Sequence, residues 1–229
     1  MSEEVEELLQ ALDRVERYIR YLDMRASGDT YVAWGLAVAA GSFLTFLFSL
    51  LAPLLGALTG PAIGMSWFIL MALAIFVSGG RARRLWALML VGKSPEERAR
   101  LRRSWRVRWT LAAIAWAGVL GAWGYLGFCL LGGFYSPGPL WSLYLACVGL
   151  GNALTYLTGS KGERRRGREM LVVAASLLVC SPLPFLLALL GLAWASFIVA
   201  VVAVVASYLW AGLSFYGKAE AILAGEPEG

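Results

Sequence analysis

The sequence has no histidine, one asparagine (Asn152), one glutamine (Gln10) and three cysteines. Without imidazole, haem ligation by histidine, histidine-bearing metal sites and serine–histidine catalysis lose their usual residue. Adjacent acids occur only at Glu3-Glu4, Glu6-Glu7 and Glu96-Glu97. None lies in an apolar run, where paired carboxylates would have to hold Mg²⁺ and a pyrophosphate. No complete Gly-x-x-x-x-Gly-Lys-Ser/Thr phosphate loop is present. Cys129, Cys147 and Cys180 all fall in apolar runs without a Cys-x-x-Cys spacing, and read as small packing residues. Neither a cofactor nor a metal is implied.

Charge is scarce too. Only 15% of residues are charged and 59% are apolar, against about 25% charged in a soluble domain. Every Asp, Glu, Lys and Arg falls within 1–29, 81–108, 161–169 or 218–228. The three charge-free stretches between those blocks each have room for two crossings at about 20 residues per helix. They are continuously apolar, whereas barrel strands alternate with a period of two. An all-α integral membrane protein with six transmembrane helices is therefore expected. Its domains are a polar helix over 1–29, a six-helix region over 30–217 with charged segments 80–108 and 159–169, and a tail over 218–229. The first segment is polar and acidic at its start, which is not the form of a secretory signal.

The net charge of +5 is not a nucleic-acid signal here. Ten of the twenty basic residues lie in Arg81–Arg108, between apolar runs. Arg81, Arg83, Arg84, Arg102, Arg103 and Arg106, with Arg164, Arg165 and Arg166 in the next basic loop, read as topology determinants and contacts to anionic lipid headgroups. Three consecutive hairpins put all charged side chains on one side, which the positive-inside rule makes cytosolic, with both termini inside. The expected location is the plasma membrane.

Residues 3–25 predict an amphipathic helix. Val5, Leu8, Leu12, Val15, Ile19 and Leu22 occupy a and d positions of three heptads. Asp13 with Arg17, and Glu16 with Arg20, are i,i+4 pairs in the favourable order. The seam can pair with a second copy or another protein, lie flat on the membrane, or pack on the chain's own cytosolic segment. Flat binding is disfavoured by Glu3, Glu4, Glu6 and Glu7, where a basic face is wanted. Ser27-Gly28-Asp29 is expected to break the helix.

Within the central block, Leu85–Val91 extends the second helix beyond the membrane and Gly92 suits its stop. Ser94-Pro95-Glu96-Glu97 has the form of a capping box with proline at the first helical position. Leu85, Trp86 and Leu88 make an apolar run in a wet segment, for which the heptad seam is the nearest partner. In the third helix Trp105, Trp109, Trp116 and Trp123 form one stripe, while Ala113, Ala117, Gly121 and Gly124 fall on another. The small face is expected inward and the tryptophans toward lipid. The other reading is an aromatic groove for an apolar ligand. Asn152, the only amide in a span, is expected to bond a neighbouring helix. Pro182 and Pro184 should kink or end the fifth helix.

Six spans, an amphipathic N-terminal helix, a cytosolic segment between helices two and three, and a broken fifth helix together resemble ABC-2-type export permeases in layout, with no shared motif. That resemblance implies a permease subunit driven by a separate ATPase, contacted through Leu85–Arg98, exporting an uncharged or lipophilic substrate. The spans carry no ionisable residue, which argues against ion-coupled transport. The leading expectation is a non-enzymatic accessory, scaffold or regulatory subunit that docks through its cytosolic face to a second copy or a partner protein.

Overall fold

The computed structural model describes residues 3–91, 93–131, 136–159 and 167–224; side chains at 3, 4, 81–84, 86, 89 and 128 lie outside that description. The described residues form helices joined by short turns, bends and irregular linkers, with no strand among them. In order they form α1 (Glu3–Leu50), the short α2 (Ala52–Leu55) with a 3₁₀ turn (Gly56–Leu58), and α3 (Thr59–Met89). Then come α4 (Pro95–Gly124), which ends in a π turn (Tyr125–Leu130), α5 (Pro137–Thr158), α6 (Arg168–Cys180), α7 (Leu183–Leu189) and α8 (Ala193–Ala224). Six helical segments are long and apolar enough to cross a membrane.

The chain divides into two compact units, one made of Met1–Lys93 with Leu209–Gly229 and the other of Ser94–Tyr208. The division falls inside α8, so that helix belongs to both.

In the first unit, α1 packs on α3 and on the second half of α8. The expected break at Ser27-Gly28-Asp29 does not occur, and α1 runs through it for 48 residues. Two observations explain this. Ser27 and Thr30 return their hydroxyls to the carbonyls of Asp23 and Ala26 (3.0 and 2.9 Å), satisfying themselves within the helix. The buried stripe Met24, Gly28, Tyr31 continues at helical spacing across the supposed break. Gly28 is a contact point rather than a breaker. A Cβ there would lie 2.7 Å from the Tyr216 ring, and one on Gly212 would lie 2.6 Å from Val32. Small residues at such a crossing let two backbones approach closely. Tyr216 then donates to Asp29 at 2.6 Å, and its neighbour Phe215 stacks on Tyr31.

Helix α8 also runs on past 217, into the segment expected as a tail. It passes through Gly217 and Lys218 to Ala224 because Phe215, Ala219 and Ile222 extend one buried stripe. Likewise α3 continues across Gly79-Gly80 without interruption. Gly92, the expected stop after Leu85–Val91, lies outside the described residues.

In the second unit the capping box forms as read. The Glu97 amide donates to Ser94 Oγ (3.2 Å), the Ser94 amide donates to Glu97 Oε2 (3.1 Å), and Pro95 opens α4. Helix α5 packs on α4, α6 and α7. The proline-rich stretch does break the fifth span, into α6 and α7. The polar groups near the break are held by side chains: the Phe185 amide donates to Ser142 Oγ (2.9 Å), and Ser196 Oγ donates to the Pro184 carbonyl (2.7 Å). Re-satisfaction of this kind is what makes a broken helix tolerable in lipid. Helix α7 ends in a Schellman motif, with Gly191 at φ +79° and bonds from Leu192 to Leu187 and from Gly191 to Ala188.

The expected orientation of α4 is reversed at Trp116 and Trp123, whereas Trp109 is exposed. Trp116 donates to Thr155 Oγ1 at 2.9 Å, and its ring lies flat against Gly151. Trp123 donates to the Leu140 carbonyl at 3.3 Å and sits 5.3 Å from the Tyr144 ring. Ala113, Ala117 and Gly121 are exposed, and a Cβ on Gly118, Gly121 or Gly124 would meet nothing within 4 Å. The indole N–H needs an acceptor in apolar surroundings, and α5 supplies both acceptors and the glycine that makes room. The small residue that decides this packing sits on the partner helix.

Candidate functional site: a projecting helix and a polar centre

Two features stand out, one in each unit. In the first unit, every residue from Val5 to Tyr18 is exposed and burial begins only at Ile19. Of the seam, Leu8 is 70%, Leu12 67% and Val15 58% exposed, Val5 is also exposed, and Ile19 and Leu22 are half-buried. At about 1.5 Å per residue, α1 is far longer than the roughly 30 Å apolar core of a bilayer. The arm is therefore a continuation of a helix long and apolar enough to cross a membrane.

Helix α1 buries two faces in its own unit. One stripe lies away from the seam, while Ala37 and Gly41, the latter against Trp67 of α3, lie at the seam's own azimuth. The seam is therefore open only over Val5–Tyr18, before burial begins. The first stripe runs through Met24, Gly28, Tyr31, Val38 and Ser42. At 3.6 residues per turn it lies roughly 150° around the helix from the a/d seam. Arg17 pairs with Asp13 (2.6 Å) and Arg20 with Glu16 (3.1 Å). Nearer the bundle, Arg25 donates to the Tyr21 hydroxyl, which raises its pKa above the ordinary guanidinium value, and it also senses Tyr216 and Glu220.

The run Leu85–Val91 divides. Leu85 is buried in the first unit, whereas Leu88 and Val91 are exposed. The side chains of Arg81, Arg83, Arg84 and Trp86 lie outside the described residues, as does the whole of Arg164–Arg166. In the second unit, Arg98, Arg102, Arg103 and Arg106 are exposed along the first turns of α4. They form an open basic surface on a single helix rather than an enclosed pocket.

The polar centre of the second unit is built around Asn152, 4% exposed. Its Nδ2 donates to the Val148 carbonyl and to the Tyr208 hydroxyl, both at 2.9 Å. One turn away, Thr155 bonds back to Gly151 (2.8 Å) while accepting from Trp116. The hydroxyls of Ser176 and Ser207 share a hydrogen bond of 3.0 Å. These bonds tie α5 to α4, α5 to α8, and α6 to α8. They hold helices together and offer no acid, base or nucleophile arranged against an acceptor site.

Among the described residues, no three of His, Cys, Asp and Glu gather in a metal-binding group. All three cysteines are free thiols. The spacing Gly212-x-x-x-x-Gly217-Lys218 lies inside continuous α8 and is followed by Ala219, so it is not a phosphate-binding loop.

Sequence reasoning missed Ser142, Ser196 and Tyr208. A hydroxyl in a charge-free run is the available signal, since such a group must find an acceptor or donor in lipid. The partner helix is not written into that signal.

No protein-family model, no curated protein and no solved structure matches this chain.

Proposed function

We propose that this is a non-enzymatic multi-pass protein of the cell membrane that serves as an accessory, scaffold or regulatory subunit. Its six spans form three consecutive hairpins, with both termini and all charged segments in the cytosol. The observation that carries this reading is the exposed, heptad-patterned arm Val5–Tyr18 joined without a break to a spanning helix. An apolar seam held in water by a rigid helix costs solvation that a docked partner removes. The buried polar groups of the second unit support the same reading, because their partners are neighbouring helices. The exposed arginines at the start of α4 suit anionic headgroups, each contributing about 1 kcal/mol near such a surface.

Purification from native membranes, followed by cross-linking and identification of associated chains, tests the proposal. The expected result is self-association or a stoichiometric partner that is lost when Leu8 and Leu12 are made polar. A solitary chain that forms no cross-linked species refutes it.

A second reading is a permease subunit of an ABC-2-like exporter. The break between α6 and α7, and the exposed Leu88 and Val91 at the end of α3, favour it. Stimulation of an associated ATPase by the reconstituted chain, lost in Leu88→Glu, is its test; an ATPase rate indifferent to the chain rejects it.

A further inference from the structure

We infer that the occupant of the arm's apolar seam is the same segment of a second copy, joined as a parallel two-stranded coiled coil over Val5–Tyr18. This rests on the scaffold reading and names the partner of that site.

The seam is open where it would have to pair. Val5, Leu8, Leu12 and Val15 are exposed, ahead of Ile19 and Leu22, where the same face starts to be covered by the chain's own unit. A helix that pairs over Val5–Tyr18 and stops there displaces none of the packing that begins at Ile19.

The core residues suit two strands. Val5, Leu12 and Ile19 are a positions, and Leu8, Val15 and Leu22 are d positions. Within Val5–Tyr18, Val5 at a with Leu8 at d is the combination that favours parallel dimers, and Leu12 with Val15 keeps the next layer aliphatic.

The flanking positions permit self-pairing. In a parallel dimer each g residue faces the e residue five further along on the partner. Glu4 then meets Leu9, Ala11 meets Glu16, and Tyr18 meets Asp23. Each acid faces an uncharged residue, so no like charges are forced together. The acids of the first turns are accounted for by the helix N-terminus, where negative charge is favoured, and do not require a basic partner.

The membrane decides direction and supplies concentration. Copies inserted with one topology present their arms from the same face pointing the same way, so parallel pairing needs no rearrangement and antiparallel pairing needs a reversal. A seam this short is marginal for free peptides in water. Here the helix is already nucleated by its spanning part, and confinement to a bilayer raises the effective concentration of the second arm.

The test uses the full chain with Cys129, Cys147 and Cys180 replaced by alanine, in native membranes under an oxidant. Single cysteines are placed at d positions (Leu8→Cys, Val15→Cys) and at outward f positions (Gln10→Cys, Arg17→Cys). The proposal predicts disulfide dimers at Leu8 and Val15 alike, and only background at Gln10 and Arg17. Dimer at one d position alone indicates crossed or antiparallel arms and overturns the proposal; equal yields at all four, or none, do the same.

The unmodified chain provides an independent measurement. In mild detergent its protein mass should be twice 24.8 kDa, returning to the single value in Leu8→Gln/Leu12→Gln while the helical melting profile is kept. A doubled mass that survives the double substitution places the interface elsewhere and also overturns the proposal. A chain of single mass that loses a different co-purifying protein in the variant sinks this inference and leaves the scaffold reading standing; single mass with no arm-dependent partner sinks both.

Discussion

Replacing Gly28 by alanine tests the close crossing of α1 and α8 with the smallest possible perturbation. The added methyl would lie 2.7 Å from Tyr216 Cε1, 2.8 Å from its Cδ1 and 3.0 Å from the Gly212 carbonyl. The last is backbone and cannot swing away, so the helices must part or Tyr216 must move. Overpacking of this kind costs about 1–3 kcal/mol. Moving Tyr216 also endangers its 2.6 Å bond to Asp29, and a hydrogen bond to a charged group contributes about 1.5–3 kcal/mol. Against this, alanine gains about 0.5–1 kcal/mol over glycine inside a helix. The expected net loss is about 1–3 kcal/mol. Gly121→Ala is the matched control, because a Cβ there would meet nothing within 4 Å; it should be neutral or stabilising by up to about 1 kcal/mol. Reversible unfolding in bicelles, followed by helical circular dichroism or steric trapping, measures both. Equal effects of the two substitutions would refute the crossing, and stabilisation by Gly28→Ala would do so more strongly.

Other outcomes follow from single contacts. A double-mutant cycle of Asn152→Leu and Tyr208→Phe should give a coupling near 0.6 kcal/mol and no more than about 1.7, the range of interhelical hydrogen bonds in lipid; zero coupling means the two groups do not meet. Ser196→Ala removes its bond to the Pro184 carbonyl, which keeps its place in the α7 ladder, and should cost about 0.5–1.5 kcal/mol, whereas Ser104→Ala, on an exposed surface, should stay within about 0.5 kcal/mol. Ser94→Ala removes the cap of α4 and should cost about 0.5–2 kcal/mol, seen as faster amide exchange over Glu96–Ala99. For topology, a fluorescent protein fused after Gly229 should fluoresce and a periplasm-dependent phosphatase should stay inactive; the opposite pair of results places the terminus outside.

Much of the helical layout was legible because charge is forbidden in the spans and required at their ends. The blank stretches between Asp29, Arg81, Arg108, Lys161, Glu169 and Lys218 therefore locate six candidate spans. Local chemistry was legible for the same kind of reason: Ser94 through Glu97 close their cap among themselves, and Pro182 cannot continue a helix whatever surrounds it. What failed depended on a second segment. Ser27-Gly28-Asp29 reads as a breaker in isolation, yet Gly28 is there to admit Gly212 and Tyr216. The tryptophans of α4 read as lipid-facing until Gly151 and Thr155 of α5 are placed beside Trp116. The run of α8 past Lys218 is legible in the sequence, since Phe215, Ala219 and Ile222 carry a helical stripe through it.

Assembly through the projecting arm, as proposed above, would show in the size of the protein in its native membrane. The most direct measurement is the size of the native complex extracted from membranes, for the natural chain beside Leu8→Gln/Leu12→Gln, at equal expression and equal thermal stability. The expected result is a larger species for the natural chain that falls to the single chain in the variant. Complexes of identical size contradict it.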